Sequence, residues 1–213
     1  MKNPHLRQHQ QQLLQAVAAG VTPHGFTPQP KEQSFVRPFP EGRQEFHLGF
    51  IEHEADFDVT ADVAIRFERL EELVNADNKL LSKKEKAATA SLGIELGNLV
   101  QGAQFRWTVA GEPDVAKVAA SLIEWFAQHA LPYFERYSDL AAAYDLLAPA
   151  DRSAWGHHPL HGSRAKRVLG LAALLGRDDL QAVAARQEQY LQELKDFGLA
   201  DFKRFADRVL QRG

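Results

Sequence analysis

The stretch FDVTADVAIRF, residues 57–67, constrains the fold more than any other part of the chain. Phe57, Val59, Ala61, Val63, Ile65 and Phe67 lie on one side of an extended backbone, with Asp58, Thr60, Asp62 and Arg66 on the other. A period of two held over eleven residues predicts a half-buried strand, because a helix would repeat its apolar positions every 3.6 residues. Such a strand needs paired neighbours and a layer packed on its apolar face. The run before it, RQEFHLGFI (43–51), sets Phe46, Leu48 and Phe50 on one side. Joined through EHEAD (52–56), the two runs predict an antiparallel hairpin with one buried face.

Three further runs extend the sheet. SFVRPF (34–39) holds Pro38 and precedes Pro40, which suits an edge strand, since proline cannot donate to a ladder. SLGIELG (91–97) sets Leu92, Ile94 and Leu96 on one face; QFRWTVA (104–110) does the same with Phe105, Trp107 and Val109. Gly97, Asn98 and Gly102 lie between them, where a turn is expected. RLEELVNADNKLLSKKEKAAT (69–89) reads as a short helix with a flexible polar loop.

Helices flank this region. Leu6, Leu13, Leu14, Val17 and Ala18 form one stripe, ended by Gly20 and Pro23. From Gly111 the pattern is helical, with Pro113 in the first turn and Val115, Val118, Ala119, Leu122, Ile123 and Phe126 inward. Pro132 is expected to kink or restart that helix. Ser138, Ser163 and the Asp178/Gln181 pair read as N-terminal caps of three later helices, and Phe202, Phe205 and Val209 as the inward face of the last. The expected fold is therefore α+β. An antiparallel sheet of four or five strands is covered by helices on one face over residues 1–150, and residues 151–213 form a helical C-terminal extension packed on it.

Three features in order resemble the bacterial domain of unknown function 4304 family over roughly residues 5–147. They are an amphipathic first helix, Gly25-Phe26 ahead of an aromatic strand, and a late helix running into Leu131, Pro132, Tyr133 and Phe134. The resemblance implies an antiparallel sheet with helices and an immunity-like or interaction role. It supplies no catalytic residues, and the chain after about residue 150 lies outside it.

The chain has 213 residues, of which 45% are hydrophobic and 25% charged, ample for a core. A formal charge of −3 lacks the strongly basic balance of a nucleic-acid binder. The absence of cysteine excludes disulfides, thiolate zinc sites and cysteine nucleophiles. No apolar run reaches the roughly 18 residues of a membrane span, and none suits a secretory leader, so a cytoplasmic protein is expected.

Chemistry is harder to find. There is no phosphate loop, dinucleotide fingerprint, nucleophile elbow, H-E-x-x-H or calcium loop. Asp58 and Asp62 share a strand face about 13 Å apart, with Glu45 and His47 expected opposite Asp62 or Thr60. A His–Asp pair there could transfer protons, but a cross-strand ion pair explains it more simply. Glu52, His53, Glu54 and Asp56 in the hairpin loop could offer oxygen ligands to a cation, without dedicated calcium geometry. Trp125, Phe126, Tyr133, Phe134 and Tyr137 serve a core more simply than a pocket. SAWGHHPLHGSR (153–164) concentrates His157, His158 and His161, but Pro159, Gly156 and Gly162 break the helical spacing a zinc pair needs. The segment reads as a joint anchored by Trp155 and Leu160, with its imidazoles in water.

No catalytic, cofactor-binding or metal-ligating residue is therefore assigned, and no cofactor is expected. Charge is uneven. Residues 52–72 carry eight acids (Glu52, Glu54, Asp56, Asp58, Asp62, Glu68, Glu71 and Glu72) against Arg66 and Arg69, while residues 163–213 carry ten bases and seven acids. The function expected is a non-enzymatic macromolecular-interaction protein, immunity-like, meeting a protein partner at the acidic sheet region. The alternative is an enzyme or small-ligand binder using a cleft between sheet and helices.

Overall fold

The computed structural model describes residues 4–149 and 151–211. Ala150, where the sequence divides the α+β domain from the extension, lies outside them. The elements run α1 (Pro4–Val21), β1 (Thr27–Gln29), β2 (Ser34–Phe39), β3 (Gly42–Glu52), β4 (Phe57–Phe67), α2 (Glu68–Asn75), α3 (Lys83–Ala88), β5 (Leu92–Glu95), α4 (Leu96–Gln101), β6 (Trp107–Val109), α5 (Glu112–Trp125), α6 (Leu131–Tyr137), α7 (Leu140–Leu147), α8 (His161–Leu174), α9 (Leu180–Glu193) and α10 (Leu199–Leu210). The fold is α+β. Six strands form one sheet in the order β1-β2-β3-β4-β5, with β6 paired antiparallel to β4. The chain forms two compact units. The first takes residues 1–64 and 94–135, the second 65–93 and 136–213.

In the first unit the alternation of β4 is realised residue by residue. Phe57, Val59, Ala61 and Val63 are fully buried, as are Phe46 and Leu48 of β3. Helical phenylalanines meet this face: Phe126 lies 5.1 Å from Phe46 and 5.2 Å from Phe26, and Phe134 lies 5.3 Å from Phe26. The α1 stripe is buried through Leu6, Leu13, Val17 and Val21. Gly20 does not end α1, which continues to Val21. A Cβ on Gly20 would stand 2.5 Å from Ile123, so the residue sets the approach of α1 to α5.

Several local expectations are corrected. SFVRPF is not an edge strand, because β1 pairs outside it over Ser34–Val36. Pro38 lies past the end of β1, where that margin is free. The alternation of SLGIELG stops at Glu95, whose carboxylate accepts from Gly97 N at 2.9 Å and Asn98 N at 3.3 Å and starts α4 instead of a turn. Pro132 stands where the helix restarts, since regular α-helix resumes at Leu131 as α6. A wider π-type turn at Phe126–Ala130, closed by Leu131 N on Phe126 O, takes up the missing hydrogen bond and ring volume just before it.

The second unit is mostly helical. Its caps differ from those expected: Asp139, not Ser138, caps α7 by accepting from Ala142 N. The N-cap of α8 is Leu160 and that of α9 is Asp179, neither with a side-chain cap. A full capping box instead opens α3, between Ser82 and Glu85. Helix α8 is buried nearly all round, through Ala165, Val168, Leu169, Leu171 and Ala172. The α10 face is Phe202, Phe205 and Val209, as its spacing predicts. No described helix is long and apolar enough to cross a membrane.

Candidate interaction groove

The histidine segment is a connector whose imidazoles are enclosed more than expected. Trp155 Nε1 donates to Tyr190 Oη at 3.1 Å, which leaves the tyrosine hydrogen for His161 Nδ1 at 3.2 Å. The Trp155 and His161 rings pack edge to face at 4.9 Å. His157 lies 6.2 Å from the Tyr137 ring, and its carbonyl accepts from Gly93 N at 3.0 Å. His158 Nε2 lies 3.5 Å from Arg167 Nη1. Burial holds the His157 imidazole below its ordinary value. Burial and the charges of Arg167 and Arg164 push His158 down to about 3, so it is neutral at pH 7. The three rings point to different partners, and among the described residues no group of three His, Cys, Asp or Glu is placed to hold a metal ion. Leu160 is no anchor: it is 60% exposed.

Beneath this connector lies a charge cluster that residue spacing does not reveal. Glu71 of α2 is buried and accepts from Arg167 Nε at 2.9 Å and Nη2 at 2.7 Å, a bidentate pair. The same carboxylate accepts from Ser91 Oγ at 2.9 Å, Thr89 Oγ1 at 2.7 Å and Asn75 Nδ2 at 3.0 Å. Arg66 clamps the adjoining segment by donating to Lys86 O and Thr89 O at 3.0 and 2.8 Å. Every lone pair of the buried carboxylate is thus used, which a buried charge requires.

The acids expected to form one partner-facing patch are dispersed. Thr108 Oγ1 donates to Asp58 at 2.7 Å, with His53 at 3.2 Å and Arg106 at 3.8 Å. The Thr108 hydrogen bond, aided by His53 and Arg106, holds the Asp58 carboxyl below the usual carboxylate range. Asp62 faces His47 at 3.7 Å, the cross-strand pair expected from register. Glu52 accepts from Gln10, Glu68 pairs with Arg66, and Glu71 is internal.

The second unit carries instead a groove of about 690 Å³ between the 76–82 loop, the start of α8 and the turn into α10. Its walls include Leu80, Leu160 and Phe197, which are 94%, 60% and 92% exposed. Backbone geometry brings the last two together. A Cβ on Gly162 would lie 2.9 Å from Gly198 Cα, so only glycine allows α8 to meet the 195–198 turn so closely. Lys195 turns that corner with a φ of +52°, and Asp196 Oδ1 fixes it by accepting from Gly198 N at 2.7 Å. The charged rim is largely self-paired: Asp201 holds Lys166 and Arg204, and Arg208 pairs with Asp77. Lone exposed apolar residues are common, but three around one groove form a contiguous patch of the kind found at binding sites.

A sheet–helix cleft is present in the first unit, about 450 Å³ between α1 and β1–β2, with Leu14, Pro28 and Phe35 among its walls. Lys31 is the sole ionisable residue lining it among those described, so it lacks a general acid–base pair. Phe197 carried no signal in the sequence, since it falls between two helical stripes. Leu160 resembles an anchor in the sequence because it is an apolar residue beside a proline, but it is exposed. No protein-family model, curated protein or solved structure matches this chain.

Proposed function

We propose that the protein is a non-enzymatic, cytoplasmic interaction protein that docks an apolar segment of a protein partner in the groove of its second unit. The observation that carries this reading is the exposure of Leu80, Leu160 and Phe197 around one groove. A self-paired rim offers little to the phosphates of a nucleic acid, which need unpaired cations in a row. It suits a protein segment whose apolar side chains fill the groove while polar ones meet the rim. The resemblance of residues 5–147 to a family that gives no catalytic residue to carry over is compatible with a binding role, and an immunity-like protein fits within it. A second reading, a small apolar ligand in the 450 Å³ cleft against α1, rests on that cleft alone.

The test places a photo-crosslinking amino acid at position 197 in cells that make the protein, and identifies what is captured. The expected result is one protein whose purified form binds the chain, and whose affinity falls about thirtyfold or more on Phe197→Asp or Leu80→Asp, as for a hot-spot residue. Capture of a second copy of this chain alone, or an affinity indifferent to both changes, overturns the reading.

A further inference from the structure

Arg164, one turn before Arg167 on α8, is fully buried. Its Nη1 reaches Asp151 O at 3.5 Å, and its guanidinium lies 5.2 Å over the Tyr190 ring. Its Nε and Nη2 are buried and have no hydrogen-bond partner. These two atoms form the side-on fork of a guanidinium, which matches the two oxygens of a carboxylate or phosphate. At two other arginines of the same unit that fork is filled. Arg167 Nε and Nη2 grip Glu71, and Arg177 Nε and Nη2 grip Asp179 at 2.8 and 2.9 Å. A buried cation with an open fork is costly unless an anion completes it.

We propose that Arg164 is a binding site for a small oxyanion, a phosphate or carboxylate group seated bidentately on Nε and Nη2, with the guanidinium held from behind by Tyr190. The inference does not depend on the docking groove. The Asp151 carboxylate leaves the fork open. Asp151 lies close enough for Arg164 to lower its titration, yet its Oδ1 is engaged by Ser153 N at 2.8 Å and by the Ser153 hydroxyl. His158 is held neutral by its burial and by the charges of Arg167 and Arg164, so no imidazolium competes for the anion. Asp151 O, at the long distance of 3.5 Å from Nη1, leaves Nε and Nη2 to the anion.

Thermal unfolding of the full chain tests this with inorganic phosphate and with acetate, each against sodium chloride of equal ionic strength. The wild-type protein is expected to gain roughly 5 °C or more at a hundredfold excess of the bound anion over its Kd. Arg164→Lys, a point charge without a fork, is expected to lose most of that gain, and Arg164→Met all of it. A larger response to phosphate identifies a phosphoryl ligand; a larger response to acetate identifies a carboxylate. In chloride alone Arg164→Met is expected to melt no lower than wild type, because it removes a buried unpaired charge. No anion response in the wild type, the same response in Arg164→Met, or an Arg164→Met protein that melts well below wild type in chloride overturns the site. A response seen only in Asp151→Asn also overturns it, by showing that Asp151 fills the fork in the native chain.

Discussion

Replacing Glu71 with alanine tests the account of the second unit most severely. The carboxylate is fully enclosed and accepts five hydrogen bonds, two of them from Arg167, whose side chain is itself 4% exposed. Removing one member of a buried pair leaves the other charge uncompensated, at a cost of about 3–5 kcal/mol. Ser91 and Asn75 lose an acceptor as well; Ser91 is fully buried and each lost bond adds about 1 kcal/mol. The expected loss is therefore about 5 kcal/mol, or roughly 10–20 °C in Tm for a chain of this size. Urea unfolding followed by circular dichroism reads it directly. With two compact units the curve is expected to split, the earlier transition belonging to residues 65–93 and 136–213. The double change Glu71→Met with Arg167→Met is expected to recover more than half of the loss, because no buried charge then remains. A Glu71→Ala protein within about 1 kcal/mol of wild type would refute the reasoning, as would a double variant less stable than the single one.

The other predictions concern separate features. Because His158 titrates near 3 when folded and near 6.5 when unfolded, the unfolded chain takes up its proton first; its contribution is full above about pH 6.5 and is lost as pH falls toward 3. The slope attributable to it is about 1.4 kcal/mol per pH unit between pH 6 and 4, and stability curves of His158→Gln should lack it. Gly162→Ala meets the backbone of Gly198 at 2.9 Å and should cost about 1–3 kcal/mol, with protection from hydrogen exchange lost around residues 160–163 and 195–199. Gly176→Ala meets nothing within 4 Å, and its cost of about 1 kcal/mol should come from its φ of +65° alone. Phe26→Ala removes an aromatic that contacts Phe126 and Phe134 and lies under the Arg37 guanidinium at 4.8 Å; a loss of about 3–5 kcal/mol in chemical denaturation is expected.

The backbone was most legible where burial alone decides the pattern. In β4 the neighbours bury one face and leave the other half open, so period two survives in the letters and both ends fall at Phe57 and Phe67. In α5 and α10 one stripe faces the core, and the spacing names the buried residues directly. Legibility failed where a side chain reached back to the main chain. Leu96 continues the alternation of Leu92 and Ile94, yet the Glu95 carboxylate gathers the next amides and turns the chain into a helix. The π-type turn before Pro132 is likewise invisible to a rule that treats proline as a break.

The charged interior was illegible for a different reason. Arg164 and Arg167 look like the solvated face of a basic tail, and Glu71 like one member of an acidic run. Nothing local distinguishes Arg167 and Glu71, because each finds its partner 96 residues away in the chain. What decides their burial is that α8 is surrounded, so its polar letters must go inward with the apolar ones. Once inside, Arg167 is tolerable only opposite a carboxylate, and Glu71 on α2 is the group that supplies it. The pair thereby fixes the rotation of α8. Turning the helix by one residue, about 100°, would swing Arg167 away from Glu71 and strand both charges. That same rotation sets the Gly162 backbone against Gly198 and so places Leu160 beside Phe197 at the groove. The exposed patch is thus a consequence of buried electrostatics, and no run of neighbouring residues along the chain encodes it.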